Sequence, residues 1–315
     1  MFTLVQKDLI EFEKRLAKEL TSSVEFIEAI GEDLASAGGK RLRPSLSFLA
    51  GNMLKANAES SMQVALAVEL LHSASLLHDD LIDDAETRRG HEAAFRRYGN
   101  VVSVMSGDYM LAKVLNLLAD ANNAEFTRLM SQTAAHICEG EVLQFQMATL
   151  ETYSFENYKK VIEGKTAVLL AAALEGVAIL ANATPEQRKG LREFGLAYGR
   201  AFQMQDDYLD LLGDETKLGK PVGGDLREGK TTYPSLVLFD AGVEEAKAIV
   251  RRHAKQEGDI QRMIALVKQH SADKETQAQI VYEAQYAIEQ LKIFDASEAK
   301  QHLIDLAQRE IQRVK

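Results

Sequence analysis

Apolar residues recur at three- and four-residue spacing along almost the whole chain, the period of an amphipathic helix. Leu9, Phe12, Leu16 and Leu20 predict a first helix, and residues 62–82 a long one that is apolar on nearly every side. Further helices are predicted over 101–119, 126–147 and 158–180. Thr184-Pro185-Glu186 reads as a helix start, with Thr184 as N-cap and Pro185 in the first helical position, and that helix is expected to run to about Leu212. Alternating Val/Ile/Thr runs joined by hairpin turns are absent, so no sheet is expected. Two segments interrupt the pattern. One is the basic glycine turn 37–44, AGGKRLRP; the other is 213–229, with Gly219, Pro221, Gly223 and Gly224, which reads as a long mobile loop of the functional kind. From 241 to 315 charged amphipathic helix resumes. With no linker, low-complexity tract or repeat, the expectation is one all-α domain, 1–315.

Composition narrows the class. The chain has 315 residues, 46% hydrophobic and 27% charged, as in folded globular proteins. None of its 4 prolines falls between Pro44 and Pro185, which favours long uninterrupted helices. The single cysteine, Cys138, excludes a disulfide framework and a multi-cysteine zinc site and fits a reducing cytoplasm. A net charge of -10 argues against non-specific nucleic-acid binding. No apolar run reads as a bilayer span, and Asp8, Glu11 and Glu13 among lysines rule out a signal peptide at the start.

The strongest chemical signal occurs twice. His78-Asp79-Asp80-Leu81-Ile82-Asp83-Asp84 ends the long apolar helix, and Gln205-Asp206-Asp207-Tyr208-Leu209-Asp210 ends the helix that Pro185 opens. Spacing i, i+1, i+4 gathers three carboxylates toward one helical face. Like charges at i,i+4 repel, and a helix C-terminus disfavours anions, so each cluster needs a counter-ion. Oxygen-only ligands point to a hard cation such as magnesium, which keeps waters and completes its shell with phosphate oxygens. One DDxxD alone reads equally well as a solvated helix end; two on matching apolar helices do not. Neither segment has the register of a calcium-binding EF-hand loop.

Cations lie beside these clusters. Lys40, Arg41 and Arg43 sit on the glycine turn, Arg88 and Arg89 follow the first cluster, and Lys220 and Lys230 follow the second. A lone surface cation is ordinarily just solvated, but such a grouping suits a ligand with several phosphate oxygens, aided by backbone N–H groups at Gly38 and Gly39. His72 lies two turns before Asp79 on nearly the same face, while His78 reads as structural. Gln203 is three residues before Asp206. Lys165-Thr166 interrupts an apolar helix, where a lysine needs an anion nearby.

The runs GGKRLRP (38–44), LLHDDLIDDAETRRG (76–90) and FQMQDDYLDLLGDETKLGKPVGGDLREGKTTYP (202–234) closely resemble the trans-isoprenyl diphosphate synthases, in particular bacterial medium- and long-chain members. GDY (107–109), EGEVLQ (139–144) and EGKTA (163–167) resemble them too. The resemblance implies an all-α bundle of long helices around a deep central cavity, the type I isoprenoid synthase fold, usually as a homodimer. It implies head-to-tail (1′-4) condensation of isopentenyl diphosphate with an allylic diphosphate. Asp79, Asp80, Asp83, Asp206, Asp207 and Asp210 would hold magnesium, three ions per active site; in the family the first and last aspartates of the first cluster, here Asp79 and Asp83, usually contact metal directly, and Asp206 is the surest ligand of the second. Arg88, Lys165, Lys220 and Lys230 would grip the allylic diphosphate; Lys40, Arg43, His72 and Arg89 would hold isopentenyl diphosphate. Thr166 and Gln203 would lie beside the developing allylic cation.

Three other readings compete. A terpene cyclase binds one diphosphate and has no use for the Lys40/Arg43/His72/Arg89 set. A non-catalytic regulatory subunit would be expected to lose aspartates or basic anchors, which this chain keeps. A catalytic subunit that needs a small partner stays open, as does the pathway served. Product length has a ruler by the same resemblance: in short-chain members an aromatic four or five positions before the first aspartate closes the product tunnel. Here those positions are Ser75 and Ala74, with Leu71, Val68 and Val64 further along that side and no Phe or Tyr between Phe48 and Phe95. The expected product is C30–C50, with geranylgeranyl diphosphate (C20) as the alternative, and the floor is expected from 101–119 or 126–147.

Overall fold

The periodic segments form helices in a computed structural model that describes residues 3–36, 39–88, 91–218 and 221–313. The first six are α1 (Gln6–Glu19), α2 (Glu25–Ser36), α3 (Leu42–Leu54), α4 (Ala58–Ile82), α5 (Ala94–Tyr98) and α6 (Asn100–Ala121). Next come α7 (Ala124–Leu150), α8 (Phe155–Ile162), α9 (Val168–Leu180), α10 (Pro185–Leu212), α11 (Glu215–Leu218) and α12 (Gly224–Arg227). The last are α13 (Tyr233–Asp240), α14 (Glu244–Arg251), α15 (Asp259–Gln269), α16 (Ala272–Gln290) and α17 (Glu298–Arg313). The chain gathers into two compact units, each assembled from three stretches: Met1–Ala134, Ala172–Arg192 and Ile293–Leu303 in one, Ala135–Ala171, Glu193–Lys292 and Ile304–Lys315 in the other.

In the first unit α4 packs against α1, α3 and α6. Asn57 caps it by accepting the Glu59 N–H at 3.0 Å. Val64, Ala65, Ala67, Val68 and Leu70 are fully buried, as expected of a helix apolar all round. Gly107 on α6 meets this helix closely: a Cβ there would stand 2.4 Å from His78 Nε2. Arg41, among the basic residues of the glycine turn, is buried between Glu13 and Glu69, with a contact of 2.7 Å to the latter.

In the second unit α13 packs on α14, α15 and α16. Its core includes Val237, Leu238, Ile249, Met263 and Val267, with a second cluster around Tyr158, Ile162, Met204 and Ile280.

The structure corrects the sequence reading at four places. Thr87–Arg88 and His91–Glu92 form a two-residue antiparallel pair, too short to leave an alternating pattern. The helix expected over 158–180 carries one π-helical turn, Glu163–Ala167, between α8 and α9. The loop after α10 holds two four-residue helices, α11 and α12. Finally, α6 is long and apolar enough to cross a membrane by length and composition, the only such helix among the described residues.

Candidate active site

Each DDxxD cluster divides its aspartates the same way. In the first unit α4 ends at Ile82, so Asp83 is the C-cap and Asp84 turns to a left-handed φ of 52°. Asp79 is half-buried and Asp83 exposed, but Asp80 is 2% exposed and turned inward. Arg88 Nε donates to Asp80 Oδ1 at 2.7 Å, and a terminal guanidinium nitrogen closes on the same oxygen. Asp80 and Arg88 therefore form an ion pair inside the unit. His78 lies 3.3 Å from the Val104 carbonyl and 3.5 Å from Asp108, in keeping with a structural role. Lys40 is exposed; Arg43 and His72 are half-buried. Ser75, half-buried, donates to the His72 carbonyl at 2.9 Å, while Ala74 and Leu71 are buried.

In the second unit Asp206 is exposed and Asp207 is buried. Tyr158 donates to Asp207 Oδ2 at 2.6 Å, and Gln203 Nε2 to Asp207 Oδ1 at 2.9 Å. Thr166 Oγ1 donates in turn to Gln203 Oε1 at 2.6 Å. Asp210 is also buried, and its Oδ2 accepts the Asp225 N–H at 2.9 Å. That bond docks the first turn of α12 onto the end of α10. The approach needs glycines: Gly223 has φ +80°, and a Cβ on Gly224 would stand 3.0 Å from Asp210 Oδ1.

Lys165, Lys230, Gln203, Asp207 and Asp225 line a cleft of about 570 Å³, part of it open to solvent. The anion that Lys165 requires is Glu141, 2.7 Å away, with Gln144 Oε1 also at 2.7 Å. Lys230 pairs with Glu228. Burial raises the Asp207 carboxyl to about 6, against the pull of its two donors. Asp225 rises to about 8, through burial and then the charges of Asp207 and Asp210. Carboxylates pushed upward in this way favour a bound cation, and the exposed Asp206 stands beside them.

Arg89 and Lys220, and the Gly38 N–H, lie outside the described residues. Among the described residues no three His, Cys, Asp or Glu side chains converge as a ready-made metal cage. Sequence reasoning missed Tyr158, Glu141 and Asp225. Asp225 had a signal, an acid directly after Gly223-Gly224; Tyr158 had none, because an aromatic on an apolar helix face reads as core.

The family model described as Polyprenyl synthetase matches residues 24–267. The chain belongs to the polyprenyl synthetase family of trans-prenyltransferases. It is 34% identical to the octaprenyl diphosphate synthase of Haemophilus influenzae, across 98% of this chain and 95% of that protein. It is 32% identical to heptaprenyl diphosphate synthase component 2 of Bacillus subtilis, across 97% and 88%. Among solved structures, a polyprenyl synthase from Caulobacter crescentus, complexed with calcium and isoprenyl diphosphate, superposes with a TM-score of 0.90 at 33% identity, over 99% of this chain and 96% of that one. The fold is thus the all-α type I isoprenoid synthase fold.

Proposed function

We propose that this prenyltransferase extends an allylic diphosphate with isopentenyl diphosphate, head-to-tail, to a trans-polyprenyl diphosphate of C30–C50. The observation that carries this reading is the second unit's cleft, where Lys165 and Lys230 face the aspartate-rich end of α10. Cations for a diphosphate beside carboxylates for a metal suit a reaction in which a charged leaving group must be stabilised. Relatives named for octaprenyl and heptaprenyl products support the length.

Asp79, Asp83 and Asp206 fit magnesium: they are oxygen donors, few, and not fully buried, which suits an ion that keeps water and takes phosphate oxygens. We assign three ions per active site to them, with Asp80 and Asp210 holding the clusters in shape. Bound magnesium would neutralise charge on the departing diphosphate. Lys165 keeps Glu141 and Gln144 on two of its three N–H bonds and offers the third to a phosphate oxygen. Lys230, Arg88 and Lys220 complete the allylic site; Lys40, Arg43, His72 and Arg89 hold isopentenyl diphosphate. Apolar helix faces exclude water that would quench the allylic cation.

The reading extends to a single domain over 1–315, since neither unit is one continuous length of chain. It places the enzyme in the cytoplasm as a homodimer. A small accessory subunit, suggested by the relative named component 2, is the second arrangement to test. The purified chain, incubated alone with labelled isopentenyl diphosphate, farnesyl diphosphate and magnesium, should give C30–C50 alcohols after dephosphorylation. Activity only after adding a partner would establish the heteromer, and no condensation under either condition would reject the reading. Ser75→Phe places a ring about 6 Å of helix below Asp79 and should shorten the products toward C15–C20. Wild-type arrest at C20, or an unchanged distribution in the variant, would overturn the assignment of length to Leu71, Ala74 and Ser75.

A further inference from the structure

The cleft of the second unit contains a hydrogen-bonded chain whose every donor and acceptor is determined. A carboxylate only accepts, so Gln203 must turn its NH2 toward Asp207 Oδ1 and its carbonyl toward Thr166. Thr166 must then donate. At the other end Tyr158, 2% exposed, donates to Asp207 Oδ2, and burial together with the Asp207 charge keeps its phenol protonated far above the ordinary range. Asp207 thus has a protein donor on each oxygen and is 7% exposed, unlike the exposed Asp206 beside it. Asp207 is placed to orient Gln203, and Tyr158 to hold Asp207.

We propose that Tyr158 and Asp207 are positioning residues for Gln203, locking its amide with the carbonyl oxygen on the Thr166 side. The inference rests on the prenyltransferase reading, in which Thr166 and Gln203 border the carbon that becomes cationic. In this orientation the amide offers that carbon the negative end of its dipole. A flipped amide would aim two N–H bonds at it instead and oppose ionisation. Asp207→Asn keeps the volume but adds a donor that Gln203 Oε1 can accept, so it permits the flip. Tyr158→Phe leaves the carboxylate with one donor and loosens it.

The test separates turnover from metal binding. For wild type, Tyr158→Phe, Asp207→Asn and the double variant, kcat and the KM for isopentenyl diphosphate are measured alongside calorimetric affinity for inorganic diphosphate with magnesium. Mispositioning of Gln203 predicts a fall in kcat of about 10- to 100-fold in each single variant. KM and magnesium-diphosphate affinity should stay within about threefold of wild type, whereas Asp206→Ala should lose that affinity. The double variant should be no slower than Asp207→Asn, because Tyr158 acts through that carboxylate. A drop in diphosphate affinity in Asp207→Asn matching Asp206→Ala would make Asp207 a metal ligand and overturn the inference. So would near-wild-type kcat in both single variants. Should Tyr158→Phe fail to fold, judged by its circular dichroism melt, Asp207→Asn decides alone. An inactive wild type would instead remove the prenyltransferase reading beneath it.

Discussion

Six aspartates of identical type have been given different tasks by their surroundings. Asp80, Asp207 and Asp210 are buried and bonded to protein donors, and Asp83 and Asp206 are exposed. Asp79→Ala or Asp206→Ala should therefore cut turnover by several orders of magnitude. Near-normal activity in either variant would reject the metal assignment. Titration offers a separate check. Asp207 and Asp225 have folded-state values raised to about 6 and about 8, so the folded chain holds protons that the unfolded chain has released. Their contribution is greatest below the ordinary carboxylate range and is lost as pH rises through those two values. The metal-free protein should accordingly melt at a lower temperature at pH 8 than at pH 6, and Asp225→Asn should flatten the upper part of that slope. A flat profile in wild-type calorimetry would contradict the burial of these acids.

At the scale of elements, the extent of α10 was legible to the residue. Thr184 and Gln187 form a reciprocal cap, 3.3 Å and 3.1 Å, and Pro185 follows in the first turn, all local signals. The π turn at Glu163–Ala167 was not legible, because its cause is non-local. Gly140 on α7 comes so close that a Cβ would lie 3.0 Å from the Lys165 nitrogen and 3.1 Å from Gly164 Cα. Gly199 on α10 leaves no more room beside Ala167, where a Cβ would sit 2.4 Å from Cα. Arg200 fastens the start of the turn by bonding Glu163 at 2.8 Å and Glu283 at 2.8 Å. The need of Lys165 for an anion could be read from its apolar setting; the identity of Glu141 could not, since nothing local pairs residues so far apart in sequence. Gly140→Ala presses on backbone that cannot step aside and should cost about 1–3 kcal/mol of stability. It should also lower kcat/KM for the allylic substrate while leaving the KM for isopentenyl diphosphate in place. Equal losses for both substrates would mean that the turn does not serve Lys165 in particular.

For the whole molecule, the open question raised by the surface is what covers its apolar residues. Val101, Met105 and Leu115 on α6 are 76%, 55% and 63% exposed. Periodicity alone could not foresee this, because α6 is apolar on two sides and the sequence does not say which one the core takes. Ser103, Ser106, Gly107, Met110, Val114, Leu117 and Leu118 are buried, and Val101, Met105 and Leu115 are left outside. A bilayer is a poor cover. It would draw Asp108 and Lys113, in the middle of α6, into hydrocarbon at about 2.5–3.5 kcal/mol each. A second copy of the chain can meet the apolar residues and leave Asp108 at a wet margin, as interfaces commonly do. Light scattering on the purified protein should therefore give twice the 34.9 kDa of the chain. Met105→Glu combined with Leu115→Glu should reduce it to a monomer, since desolvated unpaired carboxylates oppose association. A wild type that stays monomeric at micromolar concentration, without binding to lipid vesicles, would show that these side chains simply tolerate water. Binding to vesicles would transfer the cover to a membrane surface.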